Sequence, residues 1–98
     1  MIKITDSNNF KEIIENKKVL VDFYATWCGP CKMLSMVLEK LDKKEFIEIV
    51  KVDVDLCKDL ASGFNIYSVP TLILIENGNE IKRISGFMTE EELTKWVM

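Results

Sequence analysis

Hydrophobic residues along the chain alternate between strand-like and helix-like spacing. Lys3–Ile4 opens as a short strand. Asp6 and Ser7 then offer N-cap oxygens for a helix whose inner face is Phe10, Ile13 and Ile14. Val19–Ala25 is rich in β-formers and apolar on both faces except at Asp22, the pattern of a strand covered on both sides. After Gly29-Pro30, the stripe Leu34, Val37, Leu38 and Leu41 predicts a long helix running to about Lys44. Phe46–Asp53 is a third strand. Leu56–Phe64 is a short helix with Leu60, Ala61 and Phe64 inward, closed near Gly63. Val69-Pro70-Thr71 leads into the apolar strand Leu72–Ile75, and Glu76-Asn77-Gly78-Asn79 signals a hairpin. The next strand, Glu80–Ser85, is weakly patterned, because Ile81 and Ile84 do not alternate. Thr89 and Glu92 form a capping box ahead of Leu93, Trp96 and Val97.

The order β-α-β-α-β-α-β-β-α implies parallel strands joined by helical crossovers, then an antiparallel hairpin. The expected fold is an α/β three-layer sandwich with a mixed central sheet and helices on both faces. With 98 residues and no linker, repeat or low-complexity tract, residues 1–98 make a single domain. At 48% hydrophobic residues the chain can build a core without metals or a disulfide framework. Thirteen basic against sixteen acidic side chains leave a charge of -3, which argues against nucleic acid as a partner. No histidine is present, so every imidazole mechanism and His-ligated zinc are excluded. Three cysteines are too few and odd in number for a stapled secreted scaffold, and a reducing compartment fits better. No secretory signal opens the chain, and no apolar run approaches the ~18 residues a membrane span needs. The expectation is a soluble, cytoplasmic protein, monomeric because its surface is polar.

The chemistry centres on Cys28-Gly29-Pro30-Cys31, placed where the central strand ends and the long helix begins. Residues three apart on a helix are about 5–6 Å apart, within the Cα separation a disulfide requires. Closing so small a ring removes little unfolded-state entropy, roughly 2 kcal/mol against about 4.7 for a hundred-residue loop. Such a bridge is a poor staple and well suited to cycling. Helix N-termini also favour thiolates, through free N–H groups and the macrodipole. Cys28 lies at the mouth of the helix and is assigned as an exposed nucleophile; Cys31, within the first turn, is the resolving thiol. Pro30 suits a first turn, where its missing N–H costs nothing. Half a zinc site is disfavoured because no second cysteine pair exists. Two inert core cysteines are the blander alternative.

Trp27-Cys28-Gly29-Pro30-Cys31-Lys32, with Val21-Asp22-Phe23 upstream and Val69-Pro70-Thr71 downstream, resembles the thioredoxin family over essentially the whole chain. The resemblance implies a thiol–disulfide oxidoreductase that reduces disulfides in target proteins and is recycled by a thioredoxin reductase, the electrons coming from NADPH or, alternatively, through a ferredoxin-linked reductase. It implies no bound cofactor and no metal. Asp22 falls where the family has a buried acid beneath the active site, and Lys51 where it has that acid's partner. Pro70 matches the family's cis-proline, and Gly86 a glycine that lets a target backbone approach. Trp27, Gly29, Pro30, Ser68, Val69, Pro70 and Gly86 together are the implied target-binding surface.

Some positions depart from the family pattern. Tyr24 stands where a second Trp is common, and Met36 stands where many relatives have a kinking proline. Cys57 matches no general requirement and reads as a quiet helix residue, although animal thioredoxins carry a regulatory cysteine in this region. An oxidising or isomerising relative, a non-catalytic binding subunit and a metal chaperone are the competing functions. The retained Gly29-Pro30 pair and the lack of a signal weigh against the first of these. Burial would raise the pKa of Asp22 and make it the best available base for Cys31.

Overall fold

The computed structural model describes residues 2–98 and contains the expected nine elements in the expected order. They are β1 (Ile2–Ile4), α1 (Phe10–Ile14), β2 (Lys18–Tyr24), α2 (Gly29–Asp42), β3 (Glu48–Asp53), α3 (Lys58–Gly63), β4 (Thr71–Glu76), β5 (Asn79–Ser85) and α4 (Glu90–Val97). The sheet order is β1-β3-β2-β4-β5. β3 runs parallel to both β1 and β2, whereas β4 is antiparallel to β2 and β5.

The two faces of β2 explain the three layers. Leu20 joins Ile49, Leu72 and Leu74 beneath Leu34, Leu38 and Leu41 of α2 and Leu93 and Val97 of α4. Val19, Val21 and Phe23 face the other way, with Val50, Val52, Ile73 and Ile75, under Phe10 and Ile14 of α1 and the flank of α3. Side chains alternate across a strand, so Asp22 shares the α2 face with Leu20. A carboxyl group is thereby delivered into an otherwise apolar layer, and it is fully buried.

Several boundaries move for identifiable reasons. The N-cap of α1 is Asn9, with no side-chain cap bond, rather than Asp6 or Ser7. Asp6 Oδ1 instead accepts from the Asn8 and Asn9 N–H groups, a turn that precedes the helix. Ser7 Oγ donates to Asp59. α2 stops at Asp42, short of Lys44, because Lys44 and Glu45 N–H bond back only three residues, to Leu41 and Asp42. β3 begins at Glu48, where pairing with Val19 starts, leaving Phe46 44% exposed. α3 loses its expected first turn because Asp53 Oδ1 accepts from Asp55 and Leu56 N–H in a separate turn. Leu60, Ala61 and Phe64 are only partly buried, although Phe64 packs its ring on Phe10 and Phe23.

The weak pattern of β5 has a structural cause. Leu74 pairs with Lys82 but Ile75 pairs with Glu80, so Ile81 is the extra residue of an irregularity in the ladder. That shift is why Ile81 and Ile84 do not alternate. The hairpin before it turns through Asn77 and Gly78, both at positive φ, as a two-residue type I′ turn requires. The capping box of α4 is complete in both directions, with Glu92 N–H to Thr89 Oγ1 at 3.2 Å and Thr89 N–H to Glu92 Oε1 at 3.0 Å.

Glu45, which reverses the chain after α2, sits at φ 56 with an exposed side chain. A left-handed conformation costs an ordinary L-residue about 1–2 kcal/mol, part of which glycine returns to the unfolded chain as entropy. Glu45→Gly is expected to stabilise the fold by about 0.5–1 kcal/mol, or several degrees in Tm, in a thermal melt.

Candidate active site

β2 ends at Tyr24, and the Ala25–Trp27 loop carries the chain up to the start of α2. Cys28 is the N-cap of that helix, in an extended conformation, and Pro30 lies in its first turn, as expected. Cys28 Sγ accepts the backbone N–H of Cys31 at 3.2 Å. The sulfur thus takes the capping part that a Ser or Asp oxygen plays at other helix starts, and it faces the positive end of the dipole. No acidic residue in the first turn opposes it. Cys28 and Cys31 are both free thiols, adjacent across a four-residue motif. Cys28 is less open than expected: it is 5% exposed, tucked against the Val69 carbonyl at 3.7 Å. Its chain neighbour Trp27 is 70% exposed, the indole Nε1 donating to Asp55 Oδ2 at 2.9 Å.

The remaining expected target-binding residues come together here. The Val69–Pro70 peptide is cis, as the resemblance implied. The Pro70 carbonyl accepts Gly86 N–H at 2.9 Å, and Thr71 Oγ1 donates to the Ser68 carbonyl at 2.7 Å. These bonds tie the Ser68–Pro70 loop to the end of β5. Gly86, at φ +98, takes a conformation that disfavours any side chain. A groove of about 220 Å³ runs beside Trp27, bounded by Tyr67, Ser68 and Val69. Gly29 and Pro30 are exposed at the helix start. Asp55 and Tyr67 escaped the sequence reading, because neither belongs to a periodic pattern or a motif.

In the layer beneath α2, Asp22 is completely buried and neither carboxylate oxygen has a hydrogen-bond partner among the described residues. Burial raises its pKa from 3.8 to about 7, and the Lys51 charge offsets part of that rise. Lys51 stands opposite Asp22 in the β2–β3 register. Its Nζ, however, donates to Ser35 Oγ at 2.9 Å and lies 4.5 Å from the Tyr24 ring centroid, so its influence on Asp22 is exerted through space. Cys31 is pushed up to about 12, first by burial and next by its hydrogen bond with Cys28. Cys57 is buried in the opposite layer, its Sγ directed at the Thr5 carbonyl. Among the described residues no cluster of Cys, Asp and Glu is arranged to hold a metal ion. No helix there is long and apolar enough to cross a membrane.

A dithiol capping a helix, against a cis-proline loop and above a buried acid, can exchange with a disulfide. The Thioredoxin family model matches residues 1–98. The chain belongs to the thioredoxin family. It is 44% identical over 97 residues to the thioredoxin of Staphylococcus haemolyticus, covering 97% of this chain and 92% of that protein. It is also 44% identical over 88 residues to the bifunctional thioredoxin reductase/thioredoxin of Mycobacterium leprae. That match covers 87% of this chain and only 19% of the larger protein. The structure of a mutant thioredoxin from Halobacterium salinarum superposes with a TM-score of 0.90 at 34% identity, covering 98% of this chain and 87% of that one. The chain is therefore a dithiol–disulfide oxidoreductase of the protein-disulfide reductase type, with the thioredoxin fold.

The buried acid has a measurable consequence for stability. The folded state holds the Asp22 proton up to about pH 7, whereas the unfolded chain releases it near 3.8. The folded state binds more protons across that window, so this group's contribution is full below 3.8 and is lost as pH rises through 7. Asp22→Asn is expected to be more stable than the parent by a few kcal/mol at pH 8, the gain shrinking towards pH 4. Urea unfolding midpoints across that range check it; a pH-independent difference would contradict the assigned ionisation.

Proposed function

We propose that Cys28 is the nucleophile, Cys31 the resolving thiol and Asp22 the base, in a single domain spanning residues 1–98 that works as a monomer. The hydrogen bond from Cys31 N–H to Cys28 Sγ carries this reading, since it singles out one sulfur to bear negative charge at the helix start. An extended target segment lies along Trp27 and the Ser68–Pro70 loop towards Gly86, held by backbone hydrogen bonds as in strand addition. Gly29 and Pro30, small and exposed, let the target disulfide reach the sulfur.

The Cys28 thiolate attacks one target sulfur, forming a mixed disulfide and expelling the other target sulfur as a thiolate. Cys28 then carries no charge and no longer shares a hydrogen bond with Cys31, which removes two of the causes that hold the Cys31 proton. Asp22, poised near neutrality, takes that proton with the Lys51 charge nearby. Cys31 attacks Cys28 Sγ, closing the Cys28–Cys31 disulfide and releasing the second target thiolate. Two electrons pass from the dithiol to the target, and no bound cofactor takes part. A thioredoxin reductase, drawing on NADPH, returns them. The name of the Mycobacterium leprae relative, which joins a thioredoxin reductase to a thioredoxin, supports this partner. Three free cysteines suit a reducing, cytoplasmic setting.

Cys28→Ser is expected to abolish reduction of insulin disulfides coupled to NADPH oxidation by a purified reductase; retained activity refutes the assigned nucleophile. Cys31→Ser should accumulate a covalent adduct with target protein on non-reducing gels. Cys57→Ser keeps a donor for the Thr5 carbonyl and lies in a different packing cluster from the dithiol, so turnover should stay within about twofold of the parent in the same assay.

A further inference from the structure

Ser35 has no part in the scheme above, yet its contacts bear on it. It lies one turn after Cys31 on α2, so the two side chains share a side of the helix. That side is otherwise lined by the buried Leu34, Leu38 and Leu41. Ser35 Oγ accepts from Lys51 Nζ at 2.9 Å, and the Tyr24 ring centroid is 4.5 Å from the same nitrogen. Cys31, Ser35, Tyr24 and Lys51 line one cavity of about 240 Å³. Lys51 and Asp22 are direct neighbours across β2 and β3 on one sheet face, yet no ion pair joins them among the described residues. Once ionised, a buried carboxyl attracts an adjacent ammonium strongly, because the surroundings screen so little. The ammonium must be held elsewhere.

We propose that Ser35 is a positioning residue: its hydroxyl holds the Lys51 ammonium against α2 and the Tyr24 ring, and so prevents a direct ion pair with Asp22. The consequence for catalysis rests on the reading of Asp22 as the base. With Lys51 at a distance, Asp22 keeps a basicity near neutral; an ion pair would make it a more acidic, weaker base. Desolvation dominates the ionisation of Asp22, and Lys51 is the charge that offsets it. The other titratable groups around the pair are Cys31, Cys28 and Lys32 from the start of α2, Tyr24 from β2, Asp53 from β3 and Cys57 just before α3. β4 presents only Leu72 opposite Asp22. None of them offers Lys51 the hydrogen bond that Ser35 supplies.

The test is the titration of the Asp22 side-chain carboxyl by carbon NMR in the reduced protein, which reads ionisation without reference to turnover. Ser35→Ala, a substitution that favours helix, should lower the inflection by about one pH unit, a tenfold change in the ionisation constant. Ser35→Thr, which restores a hydroxyl, should return it to the parent position. Lys51→Met should raise the inflection, and adding Ser35→Ala to it should produce no further shift, as a double-mutant cycle demands. An inflection that stays put or rises in Ser35→Ala overturns the proposal, as does a shift that persists without Lys51. The pH–rate profile of Asp22→Asn separates the two readings: if it matches the parent, the base role fails while the NMR result still decides on Ser35.

Discussion

The site depends on how α2 seats on the sheet. Leu34, Leu38 and Leu41 press onto Leu20, Ile49, Leu72 and Leu74, and this contact sets the height and direction of the helix start. Burial of apolar area at about 25 cal/mol per Å², summed over these fully enclosed side chains, holds the helix in place. Every polar feature of the site is referred to that anchored tip. Cys28 caps the helix, Cys31 is buried in its first turn, and Asp22 lies beneath it on β2. A helix displaced by even part of a turn would separate the thiol from the acid and aim the dipole elsewhere.

That seating creates an electrostatic conflict beneath the dithiol. Asp22 and Cys31 are both placed where ionisation is unfavourable, one raised to about 7 and the other to about 12. A fold selected for stability alone would fill the Asp22 position with a leucine or valine, as its neighbours Val21 and Leu20 are filled. Keeping a carboxyl there weakens the fold at neutral pH and leaves, beneath the dithiol, an acid that ionises near neutrality. Lys51, restrained by Ser35 and Tyr24, tempers the acid without neutralising it. The reduced dithiol therefore holds the Cys31 proton firmly.

The surface above the dithiol is assembled from segments distant in the chain. Trp27 follows β2, Ser68–Pro70 precede β4, and Gly86 follows β5; the Pro70–Gly86 hydrogen bond joins the last two, and Trp27 faces the same loop across a groove. The Cys28 thiol is nearly closed off from solvent, its sulfur set against the Val69 carbonyl of this loop.

Much of this was legible in the residues alone. Helical stripes, apolar β-forming runs and turn signals together located the nine elements, the weakly patterned β5 through the hairpin signal before it. The motif at a strand-to-helix junction marked the dithiol, since only a helix start combines free N–H groups with that spacing. Boundaries were less legible where side chains compete locally: Asp6 and Asp53 each commit a carboxylate to a turn, and propensity cannot say which of two helix starts an acid will serve. The near-burial of Cys28, the deflection of Lys51 onto Ser35 and the hydrogen bond of Trp27 to Asp55 were decided by tertiary structure. Each depends on distances between residues that the chain separates by 16 to 41 positions. Local sequence encodes which way a side chain faces; only the packed sheet and helix determine what it meets there.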